Sequence, residues 1–169
     1  MKLVLQPSVE DYRIAQLAVL AIGIHVLESA LPSPIPGIKP GLANVITIAV
    51  FFLYGVRAAI WVSLLRVVVG SIAIGTFLTP TFMMSLGGAL ASITVLFLIW
   101  QLRVLNFGPV GVALLASLGH MLGQFLLAYS LFLPHPSLWN LFPVFMTAAL
   151  IFGLVSGVIT QQLLYRMQS

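Results

Sequence analysis

The sequence lacks cysteine and has few charged residues of either sign. Without cysteine, the chain has no disulfide, thiolate nucleophile, iron–sulfur cluster or cysteine zinc site. Only 6% of its 169 residues are Asp, Glu, Lys or Arg, whereas roughly a quarter are charged in a soluble domain. The two lysines, Lys2 and Lys39, follow no phosphate-binding glycine pattern. ATP hydrolysis through a Walker A motif is therefore excluded.

Carboxylates are few, because the sequence has one aspartate, Asp11, and two glutamates. A pair of carboxylates that holds magnesium, or divides acid and base roles, is not expected. The three histidines lie on different predicted elements, without the spacing of a metal site. We therefore expect no enzyme activity, no metal and no other cofactor.

Apolar residues dominate what is present, at 61% of the chain with a mean hydropathy of +1.17. A helix needs about 20 apolar residues to cross the roughly 30 Å hydrocarbon core. The apolar runs predict an all-α fold, a single transmembrane domain over residues 1–169 with about six spans. The predicted spans are 14–31, 42–54, 58–75, 81–100, 110–133 and 141–165. The second is short for a full crossing, and no cleavable signal pattern precedes the first.

Basic residues between these spans fall on one side, and the other side carries only Lys39. The basic residues of the first side are Lys2, Arg13, Arg57, Arg103 and Arg166. Lys and Arg accumulate in cytoplasmic loops, so both termini are predicted to be cytoplasmic. The net charge of +4 is then explained by topology, and no nucleic-acid partner is expected.

Two charged residues lie inside predicted spans, where an ionisable group is costly unless it is paired or hydrated. Arg66 lies about 14 Å above the boundary marked by Arg57. Glu28 lies about 22 Å above Arg13, so an extended arginine side chain nearly covers the difference in depth. The two groups either form a pair that orients helices or line a water-filled cavity. The cavity is the favoured interpretation, because charged residues inside membrane spans usually mark functional sites.

The predicted fifth span carries Ser117, His120 and Gln124 on one helix face, because they are spaced by three and four residues. His120 and Gln124 either line a ligand cavity with Arg66 and Glu28 or form hydrogen bonds between helices.

A proline-rich segment, 31–41, cannot form a helix and is predicted to be a stiff outer loop, a lid or rim over a cavity. Lys39 would offer a cation to an entering ligand, and Asn44 a polar group on the next helix. The alternative is a simple turn with Asn44 as a helix cap.

Small residues on the first span form a strip of three alanines, Ala15, Ala18 and Ala21. Small residues let membrane helices approach closely. The strip either docks a partner helix or faces its own bundle.

Three ordered blocks within residues 14–165 resemble the bacterial integral-membrane family labelled heptaprenyl diphosphate synthase component I, also called the Gx transporter family. The blocks are Leu27-Glu28-Ser29 with Pro32, Pro34, Pro36-Gly37-Ile38-Lys39 and Gly41-Leu42-Ala43-Asn44; Arg66 with Gly70 and Gly75-Thr76-Phe77; and Gly119-His120-Met121-Leu122-Gly123-Gln124. Met121 departs from the asparagine often found in that family, so no polar role is expected there.

The resemblance implies a multi-pass protein of the bacterial cytoplasmic membrane. In size and hydropathy the family is similar to the substrate-binding components of energy-coupling factor transporters, six-helix proteins that capture vitamins from outside. Its other label implies prenyl diphosphate chemistry, but synthases of that kind resemble soluble proteins with aspartate-rich magnesium motifs. One aspartate cannot form such motifs.

The leading hypothesis is a substrate-capture subunit for a small vitamin-like or anionic molecule. Its predicted polar lining is Glu28, Lys39, Asn44, Arg66, His120 and Gln124. Uptake would need an ATPase and a coupling membrane subunit as partners. The alternative is a non-catalytic membrane accessory subunit of polyprenyl diphosphate synthesis or quinone metabolism. A proton-coupled carrier with Glu28 or His120 as relay is less favoured, because the sequence shows no inverted repeat.

Overall fold

The computed structural model describes residues 8–30, 42–102 and 107–168, and these ranges are helical without a β-strand. The long helices are α1 (Val9–Ala30), α2 (Leu42–Ile74), α3 (Pro80–Leu102), α4 (Pro109–Leu127) and α5 (Phe142–Gln168). A π-helical turn, Ala128–Phe132, and a 3-10 helix, Pro136–Leu141, connect α4 to α5. The proline-rich segment 31–41 lies outside the described residues, as do Lys2 and Arg103.

Local sequence signals explain where these helices begin. At the start of α1, the Ser8 N–H donates to Asp11 Oδ2 over 2.8 Å, and the Asp11 N–H donates to Ser8 Oγ over 3.2 Å. Such reciprocal bonds satisfy N–H groups that have no partner within the helix. Helices α3 and α4 begin at Pro80 and Pro109, because a missing N–H costs nothing in the first turn.

The prediction of about six spans is confirmed only in part. In the described ranges, five helices are long and apolar enough to cross a membrane, and a sixth span is not confirmed. The difference lies in α2, which joins the predicted spans 42–54 and 58–75. Its backbone leaves helical geometry at Gly55, with φ 84° and ψ 178°, inside the interval predicted to separate them. The protein is therefore a multi-pass membrane protein, and a separate crossing by residues 42–54 stays a prediction.

Helix α2 folds back on itself at Gly55. Asn44 and Arg66 are 22 residues apart, which is about 33 Å along a straight α-helix. Arg66 Nη1 nevertheless donates a hydrogen bond of 2.9 Å to Asn44 Oδ1. Asn44 lies eleven residues before Gly55 and Arg66 eleven residues after it. The two arms of α2, residues 42–54 and 56–74, therefore form an antiparallel hairpin.

The bend of α2 lies at the same end of the bundle as the start of α1, because Arg57 interacts electrostatically with Asp11. The structure thus brings together the ends of two helices that the charge pattern placed on one side. That this end faces the cytoplasm stays a prediction.

The larger apolar core cluster is formed by residues of α1, α2, α3 and α4 and includes Val50 and Val62 from the two arms of α2. Ala18 and Ala21 of α1 belong to this core, with 3% and 0% of their surfaces exposed. Ala15 is exposed. The strip of alanines thus faces largely into its own bundle. The predicted docking of a partner helix requires accessible alanines, and of these three only Ala15 is exposed.

Large apolar side chains are exposed on the outside of the bundle. Val19, Leu27 and Trp61 are 68%, 69% and 53% exposed. A water-soluble monomer rarely carries apolar surface of this extent. These outward faces are suited to lipid, which agrees with the length and hydropathy of the helices.

We expect Gly55→Ala to destabilise the protein by about 1–3 kcal/mol, because a positive φ with extended ψ is open almost only to glycine. Gly23→Ala is the matched control. A Cβ added at Gly23 meets no atom within 4 Å, and alanine is the better helix former. Thermal unfolding in detergent compares the two variants. Equal midpoints would contradict the need for glycine at the bend.

Candidate functional site

A cavity of about 430 Å³ lies among the five long helices. Its lining includes Glu28, two residues from the end of α1, and Asn44, two residues from the start of α2. It also reaches Ala113, four residues from the start of α4. All five long helices contribute to its wall. The polar or charged side chains that line it are His25, Glu28, Asn44, Arg66, Thr81, Ser85, Ser117, His120, Gln124 and Ser156.

Five of the six predicted lining residues meet at this cavity. They are Glu28, Asn44, Arg66, His120 and Gln124. The sixth, Lys39, lies outside the described residues. That these side chains bind a ligand stays a prediction, but they come from three helices that are far apart in sequence, and folding places them around one space.

Among the described residues that line the cavity, Arg66 is the one Lys or Arg side chain, and only 5% of the residue is exposed. Its Nη1 donates to Asn44 Oδ1. The Asn44 oxygen thus serves the arginine, which differs from the helix-cap role considered for it. Arg66 Nε is buried and finds no hydrogen-bond partner in the described part of the chain. A donor of this kind is costly to leave unsatisfied, and it is available to an acceptor group of a bound molecule.

Glu28 supplies the opposite charge from α1 and is 4% exposed. Its carboxylate interacts electrostatically with Arg66. The two charges stabilise one another where water is largely excluded, because the Coulomb attraction grows as the local dielectric constant falls. The cavity therefore contains both a cationic and an anionic wall.

His120 and Gln124 rest against Gly88 of α3. A Cβ at position 88 would lie 2.8 Å from His120 Cε1 and 2.7 Å from Gln124 Cγ, so only glycine leaves these side chains in place. The His120 ring interacts with the Gly88 backbone. His120 Nδ1 is buried and has no hydrogen-bond partner among the residues described. Like Arg66 Nε, it is free to bind a polar group.

The polar face of α4 has two roles. Ser117 Oγ donates to the Ala149 carbonyl of α5 over 2.9 Å, which is a bond between helices. His120 and Gln124 line the cavity together with Ser117. His120 combines both positions, because it lines the cavity and also contacts the Gly88 backbone of α3. A ligand-binding role of this face stays a prediction.

Sequence reasoning missed several lining residues. His25, for which no role in a site was predicted, faces the cavity. It packs on Gly70, where an added Cβ would lie 2.8 Å from His25 Cδ2. Ser85 and Ser156 also line the cavity, and both stand in runs of small residues. Hydropathy carries no signal for them, because only the rotation of α3 and α5 in the bundle decides which small residues face the cavity.

The family model described as heptaprenyl diphosphate synthase component I matches residues 17–163. The chain belongs to this family. The resemblance seen in the three sequence blocks is thereby confirmed, and the matched region includes every cavity residue from His25 to Ser156. No curated protein and no solved structure matched the chain.

We expect Glu28→Gln and Arg66→Gln each to lower the free energy of unfolding by about 3 kcal/mol, because each leaves the other buried charge without its partner. The double variant should be more stable than the sum of the two losses predicts. Denaturation of the purified proteins in detergent measures this coupling. Strictly additive losses would show that the two charges do not stabilise each other.

Proposed function

We propose that this chain is a membrane subunit that captures a small polar molecule for uptake into the cell. The observation that carries this proposal is the buried Arg66 guanidinium, whose Nε has no hydrogen-bond partner among the described residues and whose side chain lines the cavity. Ionisable groups at membrane depth are costly and typically mark the paths of substrates or ions.

The size and lining of the cavity support a small-molecule ligand. Its volume of about 430 Å³ lies in the range of roughly 300–1,000 Å³ that is usual for such sites. Ile48, Val67 and Phe152 give it apolar wall beside the polar groups. This combination fits a vitamin-like molecule with an apolar body and a polar or anionic group directed at Arg66. In this proposal Lys39 adds a second cation at the entrance.

Uptake requires energy, and this sequence has no Walker A motif with which to obtain it from ATP. In the proposal an ATPase and a coupling membrane protein supply that energy, and the chain acts in the cytoplasmic membrane of a bacterium with both termini inside. The chain itself provides selection of the ligand and takes no cofactor.

A second function is favoured by the description of the family itself, which names heptaprenyl diphosphate synthase. In that case the chain is a non-catalytic membrane accessory subunit of polyprenyl diphosphate synthesis, and the Glu28–Arg66 pair holds helices together. Catalysis by this chain is not proposed, since the sequence has one aspartate and magnesium sites for diphosphate chemistry need several carboxylates.

Native mass spectrometry of the protein purified from its own membranes tests the capture function. We expect a small polar molecule bound to the wild type, and at least tenfold less of it on Arg66→Gln, because the buried donor is lost. Arg57→Gln is the matched control, because it removes the same charge from an exposed position at the bend. It should retain the molecule.

Gln124→Leu provides a second variant of similar size if Arg66→Gln fails to fold, and it too should bind less of the molecule. A polyprenyl lipid or a stoichiometric soluble synthase subunit, in place of a polar molecule, would favour the accessory function. Equal amounts of the small molecule on wild type and both cavity variants would contradict the proposed site.

A further inference from the structure

The two ring nitrogens of His120 have different surroundings. Nε2 faces Gly88 of α3, since a Cβ at position 88 would lie 2.8 Å from it, and the ring forms a hydrogen bond with the Gly88 backbone. Nδ1 is buried and has no hydrogen-bond partner in the described ranges. The bond to Gly88 therefore belongs to Nε2.

This bond determines which nitrogen of His120 carries the proton. Gly88 lies inside α3, where its N–H is used within the helix and its carbonyl oxygen still has a second lone pair. Nε2 is therefore the donor, through its N–H. In a neutral imidazole, protonation at Nε2 leaves Nδ1 bare, and a bare ring nitrogen is a hydrogen-bond acceptor. The open atom of His120 thus requires a donor.

Arg66 Nε is a second open polar atom beside the same cavity, and it has the opposite character. It is buried without a hydrogen-bond partner among the residues described, and a guanidinium N–H only donates. Both side chains line the cavity, and Arg66 acts electrostatically on His120. The cavity lining thus includes one unsatisfied acceptor and one unsatisfied donor.

We infer that the molecule captured in this cavity carries a hydroxyl or N–H group that donates to His120 Nδ1, together with an acceptor oxygen or nitrogen that binds the N–H of Arg66 Nε. This inference rests on the proposed capture function and narrows its ligand class. The class contains carboxamides and hydroxy- or amino-carbonyl compounds, and His120 selects for them.

The selection follows from the cost of a buried polar atom without a partner. A molecule that offers only acceptors satisfies Arg66 but displaces water from His120 Nδ1 without replacing its hydrogen bond. Sites built to bond a hydroxyl or N–H reject analogues without that group much more strongly than apolar pockets reject a change of size.

Methylation of the donor tests this role. Tandem mass spectrometry of the molecule that co-purifies with the wild type should reveal an N–H or O–H group, and the N- or O-methyl derivative of that molecule is the probe. We expect the wild type to bind the parent molecule roughly a hundredfold more tightly than the derivative. His120→Phe should bind both weakly and about equally, because it has no acceptor left to distinguish them.

His135→Phe is the matched control, because it makes the same change at an exposed residue outside the cavity lining. It should keep the preference for the parent molecule. If His120 only packs against Gly88, His120→Phe weakens the binding of both molecules and keeps the preference, which overturns the inference. A co-purified molecule without an N–H or O–H group overturns it as well.

A second measurement does not depend on the folding of His120→Phe. Nuclear magnetic resonance of the wild type with ¹⁵N-labelled histidine reports the proton on each ring nitrogen. His135 is the reference, because its Nδ1 accepts a hydrogen bond from the Ser137 N–H over 3.2 Å. At about pH 8.5, where an ordinary histidine is neutral, we expect Nδ1 of His120 to be bare and its resonance to move when the parent molecule binds. A proton on Nδ1, or a resonance that does not move, overturns the inference.

The two proposals fail in different ways. A molecule that the wild type retains and Arg66→Gln loses, but that has no N–H or O–H group, disproves the ligand class and leaves the capture function standing. A wild type that retains no small molecule disproves the capture function, and the ligand class falls with it.

Discussion

A guanidinium inside an apolar helix bundle persists only where other segments bring polar groups to it. For Arg66 these are the Asn44 side-chain oxygen, which accepts its hydrogen bond, and the Glu28 carboxylate, which balances its charge. Asn44 reaches it because α2 reverses at Gly55, and Glu28 because α1 packs along the same helix. The hairpin of α2 and the position of α1 thus both bring polar groups to one buried cation.

Glycines leave room for the side chains of the site to pack closely against neighbouring helices. Gly70 receives the ring of His25, and Gly88 receives His120 and Gln124. At the crossing of α3 and α4, a Cβ on Gly123 would lie 2.7 Å from the Gly87 carbonyl oxygen, so the two backbones are nearly in contact. Membrane helices gain stability from such close packing. Here the same closeness also fixes the side chains that project into the cavity.

Much of this arrangement could be predicted from the sequence, because charge in an apolar run is conspicuous. Arg66 and Glu28 stand out for that reason, and the spacing of His120 and Gln124 puts them on one helix face. The break between residues 54 and 58 was found from Arg57 and the end of an apolar run. Hydropathy does not distinguish a sharp bend within one helix from two separate helices, and the two spans predicted there correspond to the two arms of α2.

The residues that were missed share a different property. His25, Ser85 and Ser156 face the cavity because of how their helices are rotated, and rotation depends on packing against all neighbours at once. The same limit applies to the alanine strip: composition predicts a close contact for Ala18 and Ala21, but only the three-dimensional structure identifies the contact as internal. The chemistry of the ligand is even harder to predict from composition, because it depends on the positions of single donor and acceptor atoms.

The equal distances of Asn44 and Arg66 from Gly55 have a mechanical consequence. Each arm is a lever of about 16 Å that pivots on one residue. A change of about 10° in the angle between the arms would separate their far ends by about 3 Å, which is enough to break a hydrogen bond. A change of the backbone at Gly55 would therefore alter the gap between Asn44 and Arg66, eleven residues away on either side.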